Sequence, residues 1–286
     1  MRVQVIQVPY DSGHRGLRVG MGPEHFVNNG LPQALQGEGH EVSVETVESQ
    51  SAFRAEVQTQ FELYRALAKE VAEARQNGKF PLILSGNCGA TLGAIAGAGT
   101  TRLGVVWFDA HGEFNTPETT TSGFLDGMGL AIATGLCWKR LAAAIPGFRP
   151  IPSSNILLIG GRDFDEGEQD RLKQSGVTVV DLAALEQTSI QNALYSGIST
   201  LVNDADEIHL HIDPDALDPK EAPANSYQFA TEGGMSVEQL SQAIALIKKN
   251  LHITSATIAS FEPEYDPQGK TLDALLNLIK QIVASD

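Results

Sequence analysis

Two short segments carry most of the chemistry. In LGVVWFDAHGEFNTPETT an apolar run gives way to a polar loop at Asp109, with His111 two residues on and Glu113 two further. In EIHLHIDPDALDP an alternating run ends at Asp213, and Asp215 follows on the same side. While a chain is still extended, residues i and i+2 share a face, so each pair faces one point in space. Carboxylates converging in a partly buried site repel one another as bare anions, and a divalent cation removes that cost. Oxygen-rich ligation with one nitrogen suits manganese or a similar hard-to-borderline ion. A single DxH or DxD after a strand is often only a turn or helix cap. Two such clusters, each closing a strand of the same chain, point to a metal site.

The elements that position them are legible from apolar patterning. Short Val-, Ile- and Leu-rich runs at Val3–Val8, Glu41–Thr46, Phe80–Leu84, Leu103–Phe108, Ile156–Ile159, Val177–Val180, Ile208–Ile212 and Ile253–Ser260 read as strands, most of them buried on both faces. Helical periodicity is clearest in Ala52–Gln76, Val237–Lys248 and Leu272–Val283. The alternation predicts an α/β fold of parallel strands and crossover helices, the sheet covered on both sides. Ligands of such folds collect beyond the carboxyl ends of the strands. The polar connections His111–Asp126 and Asp213–Gly234 each follow a buried strand and exceed the usual length of about 2 to 6 residues.

With 286 residues, 42% hydrophobic and 19% charged, the chain has enough apolar material for a substantial core, and residues 1–286 read as one domain without repeat or linker. The net charge of -15, with no basic run beside aromatics, makes nucleic acid and anionic membrane surfaces poor partners. Two cysteines, no signal-like N-terminus and no run of about 20 apolar residues place the expected protein in the cytoplasm.

FDAHGEFNTP resembles the DAHxDxNTP motif of the arginase/agmatinase (ureohydrolase) family, and HIDPDALDPKEAPA resembles its DxDxxDPxxxPx motif. VPYDSG, GPE and GGRDFDEGE fit in the same order, so the resemblance spans essentially the whole chain. It implies a three-layer α/β/α fold with a mainly parallel eight-stranded sheet, and two bridged manganese ions holding a hydroxide that attacks a guanidinium carbon. By residue matching, Asp109 and Asp213 are the bridging carboxylates, and His111 with Asp215 completes one metal site. Family members are commonly trimers or hexamers, so a homo-oligomer is expected.

The second metal site departs from the family pattern. Its usual histidine aligns with Cys88 in SGNCGATLG, and its usual third aspartate with Glu113. Cys88 precedes a helix expected to begin near Ala90, and a helix N-terminus favours thiolate, which would shift preference toward zinc, iron or nickel. One tight and one altered metal are therefore expected. Cys137 reads as filler on a helix. The hydroxyarginine hydrolase branch of the family, serving D-cycloserine biosynthesis, also carries a cysteine at this ligand position and an NTPETT stretch.

The family's proton-shuttle histidine is replaced by Asp126, which if exposed would titrate near 4. Its guanidinium-pairing glutamate aligns with Ser260, leaving Glu262, two residues later, as a substitute if a bulge shifts the strand end. Asn115 and Ser122 match positions contacting a substrate α-carboxylate, and Asp165 one contacting the α-ammonium. Asp163 with Arg162 reads as a structural pair, and His209 and His211 as core histidines. The implied activity is metal-dependent hydrolysis of linear C–N bonds in a small guanidino or amidino amino acid. The alternatives are a catalytically silent metal- and amino-acid-binding homologue and, ranked lower, a deacetylase-type amide hydrolase.

Overall fold

The computed structural model describes residues 1–223 and 230–284. Eight strands form one parallel sheet: β1 (Arg2–Val8), β2 (Glu41–Thr46), β3 (Phe80–Ser85), β4 (Leu103–Phe108), β5 (Ile156–Ile159), β6 (Thr178–Val180), β7 (Glu207–Ile212) and β8 (Ile253–Ile258). Their order is β2-β1-β3-β8-β7-β4-β5-β6. All eight apolar runs thus became strands. A two-residue ladder between Tyr10–Asp11 and His14–Arg15 lies outside that pattern and is too short to leave a periodic signal.

β3, β4 and β5 are buried along their whole length, as continuous apolar runs require when helices cover both faces. One core holds Leu82, Val106, Leu210 and Ile258 against helices α3 (Val237–Asn250) and α4 (Lys270–Val283). The other holds Ile83, Val105 and Trp107 against α1 (Glu56–Gln76) and α2 (Thr91–Gly97). The result is a three-layer α/β/α arrangement. Each fully buried Leu, Ile or Phe contributes about 1.5–3 kcal/mol to it.

Two glycines fix the distance between α1 and α2. A Cβ on Gly93 would lie 2.8 Å from the Tyr64 carbonyl oxygen, and one on Gly97 2.6 Å from that of Ala68. Alanine at either position would push α2 away from α1 and carry the preceding Cys88 segment with it. Polar loops leave the carboxyl ends of four adjacent central strands, β3, β8, β7 and β4. The loop expected over Asp213–Gly234 includes residues 224–229, which lie outside the described residues.

Candidate metal centre

Asp109 and Asp213 stand directly after β4 and β7, whose register places Trp107 beside His211 and Phe108 beside Ile212. Backbone amides set the carboxylates. The Asp213 N–H donates to the Phe108 carbonyl at 2.9 Å. The His111 N–H donates to Asp109 Oδ1 at 2.7 Å, the Ala110 N–H to Asp215 Oδ1 at 3.0 Å, and the Asp215 N–H to Asp213 Oδ1 at 2.9 Å. Asp109, Asp213 and Asp215 are buried and His111 is partly exposed.

Candidate ligand atoms of Asp109, His111 and Asp215 all lie within 4.8 Å of one another, as do those of Cys88, Asp109 and His211. In the first group His111 Nδ1 stands 3.0 Å from Asp215 Oδ2 and 3.3 Å from Asp109 Oδ1. Burial works to lower the His111 pKa, but Asp215 and then Asp109 overcome it and hold it well above the ordinary histidine value. Burial also opposes the Asp215 anion, yet His111 and the Ala110 amide pull its pKa down to about 2. Asp213 is pushed well up by burial and by Asp215, and Asp109 is raised for the same two reasons.

Neither group includes Asp213, which stands beside Cys88, or Glu113. The Glu113 backbone adopts the left-handed region, φ 53°, strained for a non-glycine residue. Its carbonyl takes the N–H groups of Leu130 and Ala131, capping a short helix, and its Oε2 is buried without a hydrogen-bond partner among the described residues. Burial and Asp109 raise its pKa well above the ordinary value. Buried orphan oxygens and mutually repelling carboxyls make a donor set that fits a divalent cation.

Cys88 lies in a short 3-10 turn before the seven-residue α2, and the expected thiolate is not favoured by the protein alone. Burial, then Asp213 and Asp126, push its pKa well up, outweighing so short a helix. Its Sγ sits 3.2 Å from Asp213 Oδ2 and 3.2 Å from Ser260 Oγ. Cys137 is buried as expected, but in a bend between two short helices rather than on one. Burial, then Glu118, pushes it up to about 12.

Asp126 is buried rather than exposed, and burial lifts its carboxyl to about 7. It accepts hydrogen bonds from the N–H of Gly89 at 2.7 Å, the N–H of Cys88 at 3.0 Å and Asn87 Nδ2 at 2.9 Å. Glu262 is also buried, its Oε2 is unpartnered, and burial followed by Glu264 raises its pKa. No bulge at the end of β8 puts it there: the register shift lies at Ile253–Ser255, the start of the strand, and Ser260 turns the chain with φ 56°.

Asn115, Ser122 and Asp165 come together at the rim of a cavity of about 260 Å³ whose lining also includes Cys88, His111, Glu113, Asp126, Asp213, Asp215 and Glu262. Asn115 Nδ2 donates to Asp165 Oδ2 at 2.9 Å. Arg162 braces the loops through carbonyls of Asp215, Thr231 and Glu232, while Asp163 takes the Thr231 hydroxyl, so both are structural but not as a pair. His209 is a core residue between Ser255 and Thr257, held down at about 3 by burial. His211, on the same face of β7 as His209, differs in that one of its ring nitrogens lies within 4.8 Å of candidate ligand atoms of Cys88 and Asp109.

The sequence reading missed Glu168, Asn87 and Arg18. Glu168 is buried at the cavity, accepts the Phe114 N–H at 2.7 Å and is raised to about 7 by burial. Its trace in the sequence is the Asp165-x-x-Glu168 capping-box spacing. Arg18 reaches Asp11 Oδ2 at 2.6 Å from a backbone with φ 44°, and nothing local in the sequence marks it.

A parallel α/β sheet with carboxylate, imidazole and thiol donors beyond its central strands is the architecture of a metal-dependent hydrolase. The arginase family model matches residues 1–284, and the chain belongs to the arginase family, whose members are metal-dependent ureohydrolases. The arginase of Bacillus caldovelox is 30% identical over 290 residues, covering 97% of this chain and 96% of that one. Its solved structure superimposes with a TM-score of 0.91 over 100% of this chain and 99% of that one. The formimidoylglutamase of Bacillus subtilis, 16% identical, covers 98% of this chain and 85% of that one with a TM-score of 0.76 and shares the fold. Among the described residues no helix is long and apolar enough to cross a membrane.

Proposed function

We propose that the chain hydrolyses a linear C–N bond of a guanidino or amidino amino acid, arginine or an N-substituted arginine such as hydroxyarginine, releasing urea or a urea analogue. The observation that carries this reading is one cavity joining the metal-ligand candidates to Asn115, Ser122 and Asp165. Nine of its lining residues are carboxylates and Arg18 is its sole lysine or arginine, which favours a cationic guest. The similarity to arginases supports the guanidino class. By the same family reasoning the working form is a homo-oligomer, and the cytoplasm is its expected compartment.

Asp109, His111, Asp213 and Asp215 are the residues to hold manganese, with Cys88 and Glu113 beside a second, altered position. A divalent ion held there would supply a water oxygen that is nucleophilic at neutral pH. Asn115 and Ser122 receive the α-carboxylate and Asp165 the α-ammonium. Glu262 pairs its unpartnered oxygen with the guanidinium. Asp126, near half-protonated at pH 7, gives its proton to the departing nitrogen as the C–N bond breaks. A hydroxyguanidine suits the site because its lower basicity relaxes the demand for a fully ionised carboxylate.

The strained Glu113, outside both ligand groups, favours as second reading a silent member that binds metal and an amino acid without turnover. Release of urea or hydroxyurea from arginine, hydroxyarginine, agmatine and shorter guanidino acids decides between them, with manganese, nickel, zinc and iron supplied separately. Turnover of an α-amino guanidino acid, with agmatine poor, is expected. No turnover under any metal removes the hydrolase, and acetate release from acetylated amines without urea points to amide hydrolysis instead.

A further inference from the structure

We infer that His211 is a ligand of the second metal position, so that Cys88 Sγ, Asp109 and His211 Nε2 form a sulfur–oxygen–nitrogen site beneath the cavity floor. The inference rests on the metal dependence proposed above, but not on any reaction. His211 is fully buried, and its Nε2 has no hydrogen-bond partner among the described residues. An imidazole nitrogen left bare in a core loses the whole energy of a missing hydrogen bond, so such an atom needs a ligand. A ring nitrogen of His211 and the ligand atoms of Cys88 and Asp109 all lie within 4.8 Å of one another.

The surroundings of His211 match what a metal-bound imidazole requires. Its Nδ1 lies 2.8 Å from Thr91 Oγ1, at the start of α2. A ligating histidine characteristically donates its other ring N–H to a neighbouring oxygen, which fixes the tautomer and leaves the second nitrogen lone pair free. With Thr91 as acceptor, that free nitrogen is Nε2. The ring is fixed in orientation by stacking on Trp107 with centroids 3.7 Å apart, and Trp107 Nε1 donates to Asp109 Oδ2 at 2.8 Å. One indole therefore orients two members of the triangle. Cys88 is the member that lines the cavity, which gives an ion its entry path.

The donors also explain why the position tolerates Glu113 as an outsider. Cys88, Asp109 and His211 already supply three donors without it. Sulfur and imidazole donors favour zinc, iron or cobalt over manganese, whereas the Asp109–His111–Asp215 group keeps a harder set. The two positions of one site would then hold different metals.

The test is cobalt titration of the whole protein, read by thiolate-to-cobalt charge-transfer absorption in the near ultraviolet and by metal content after dialysis. Native protein is expected to take two equivalents, one of which develops the charge-transfer band. His211→Asn is expected to keep the first equivalent and weaken the second by at least about tenfold, the lower bound for losing even an outer-shell partner. His209→Asn, on the same strand but outside the triangle, is expected to leave both unchanged. A native protein with no charge-transfer band, or a His211→Asn variant with the band and its affinity intact, overturns the inference. Where His211→Asn does not fold, zinc X-ray absorption of native protein decides. Two bound imidazoles and one sulfur per two zinc ions support His211, and a single imidazole overturns it. Urea release is measured separately, so failure of this site and failure of the proposed hydrolysis are distinct results.

Discussion

The two ligand groups share Asp109 yet satisfy themselves in opposite ways. Asp109, His111 and Asp215 form an ion pair backed by amides of Ala110 and His111, so a proton on the imidazole stands where a cation would. In the group of Cys88, Asp109 and His211 the thiol donates to Asp213 and Asp109 accepts from Trp107, but burial holds the imidazole well below its ordinary value and its Nε2 stays bare among the described residues. The outer group is complete without metal and must release a proton to bind one. The inner group is incomplete without it. The outer pair therefore stabilises the metal-free fold below the ordinary histidine pKa and is lost as pH rises through the raised His111 value. The inner group offers no stabilisation to lose.

The harshest way to break this comparison is Asp109→Asn, because Asp109 belongs to both groups. Both metal equivalents are expected to disappear on elemental analysis, and urea release to fall by more than the roughly 10–100-fold that follows loss of an outer-shell partner. Retention of one equivalent would mean that the groups do not share this carboxylate.

Asp126→Asn comes next, at about 10²–10⁴-fold in kcat, the usual span for a general acid. A limb with a midpoint about 7 in the native pH profile is expected to vanish in the variant. The metal-free stability gives an independent reading. Asp126 holds its proton in the fold up to about 7 but releases it near 3.8 when unfolded, so its contribution declines as pH rises between those values. Calorimetry of Asp126→Asn should lack that decline.

The same contrast governs what was legible in the sequence. The outer group was readable because Asp109 and His111 lie two residues apart, as do Asp213 and Asp215, and strand parity converts such spacing into proximity. The central strands were readable for a similar reason, since apolar runs buried on both faces need no partner to be recognised. The inner group draws Cys88, Asp109 and His211 from three strands, so only the strand order β3-β8-β7-β4 brings them together. Burial was likewise illegible at Asp126. Its proximity to the amides of Cys88 and Gly89 depends on how two distant turns meet, and that turns an ordinary loop aspartate into a group titrating near neutrality.

Trp107→Phe sharpens the comparison from beneath. It keeps an aromatic face for His211 but removes the N–H that Asp109 Oδ2 accepts at 2.8 Å. A hydrogen bond to a charged group is worth about 1.5–3 kcal/mol, so a loss of about 10–100-fold in metal affinity is expected. Because Asp109 is shared, competition titration should show both equivalents weakened. A loss confined to one would reassign the carboxylate to that half.

Thr91→Val is the finest cut, since it conserves shape and touches the inner group alone. Thr91 Oγ1 is the partner of His211 Nδ1, and valine leaves that nitrogen bare. The imidazole is then free to shift its proton to Nε2, the tautomer that cannot bind metal, and the inner equivalent should weaken by about tenfold. The outer equivalent should not move, because the side chain that Thr91 Oγ1 holds is His211, which is not a member of the outer group. A buried, unpaired ring nitrogen also costs about 1–3 kcal/mol in the metal-free fold, which denaturant unfolding reads independently of metal. If Thr91→Val lowers stability but leaves both metal affinities unchanged, the Thr91–His211 contact is a core hydrogen bond only, and the inner position loses its imidazole.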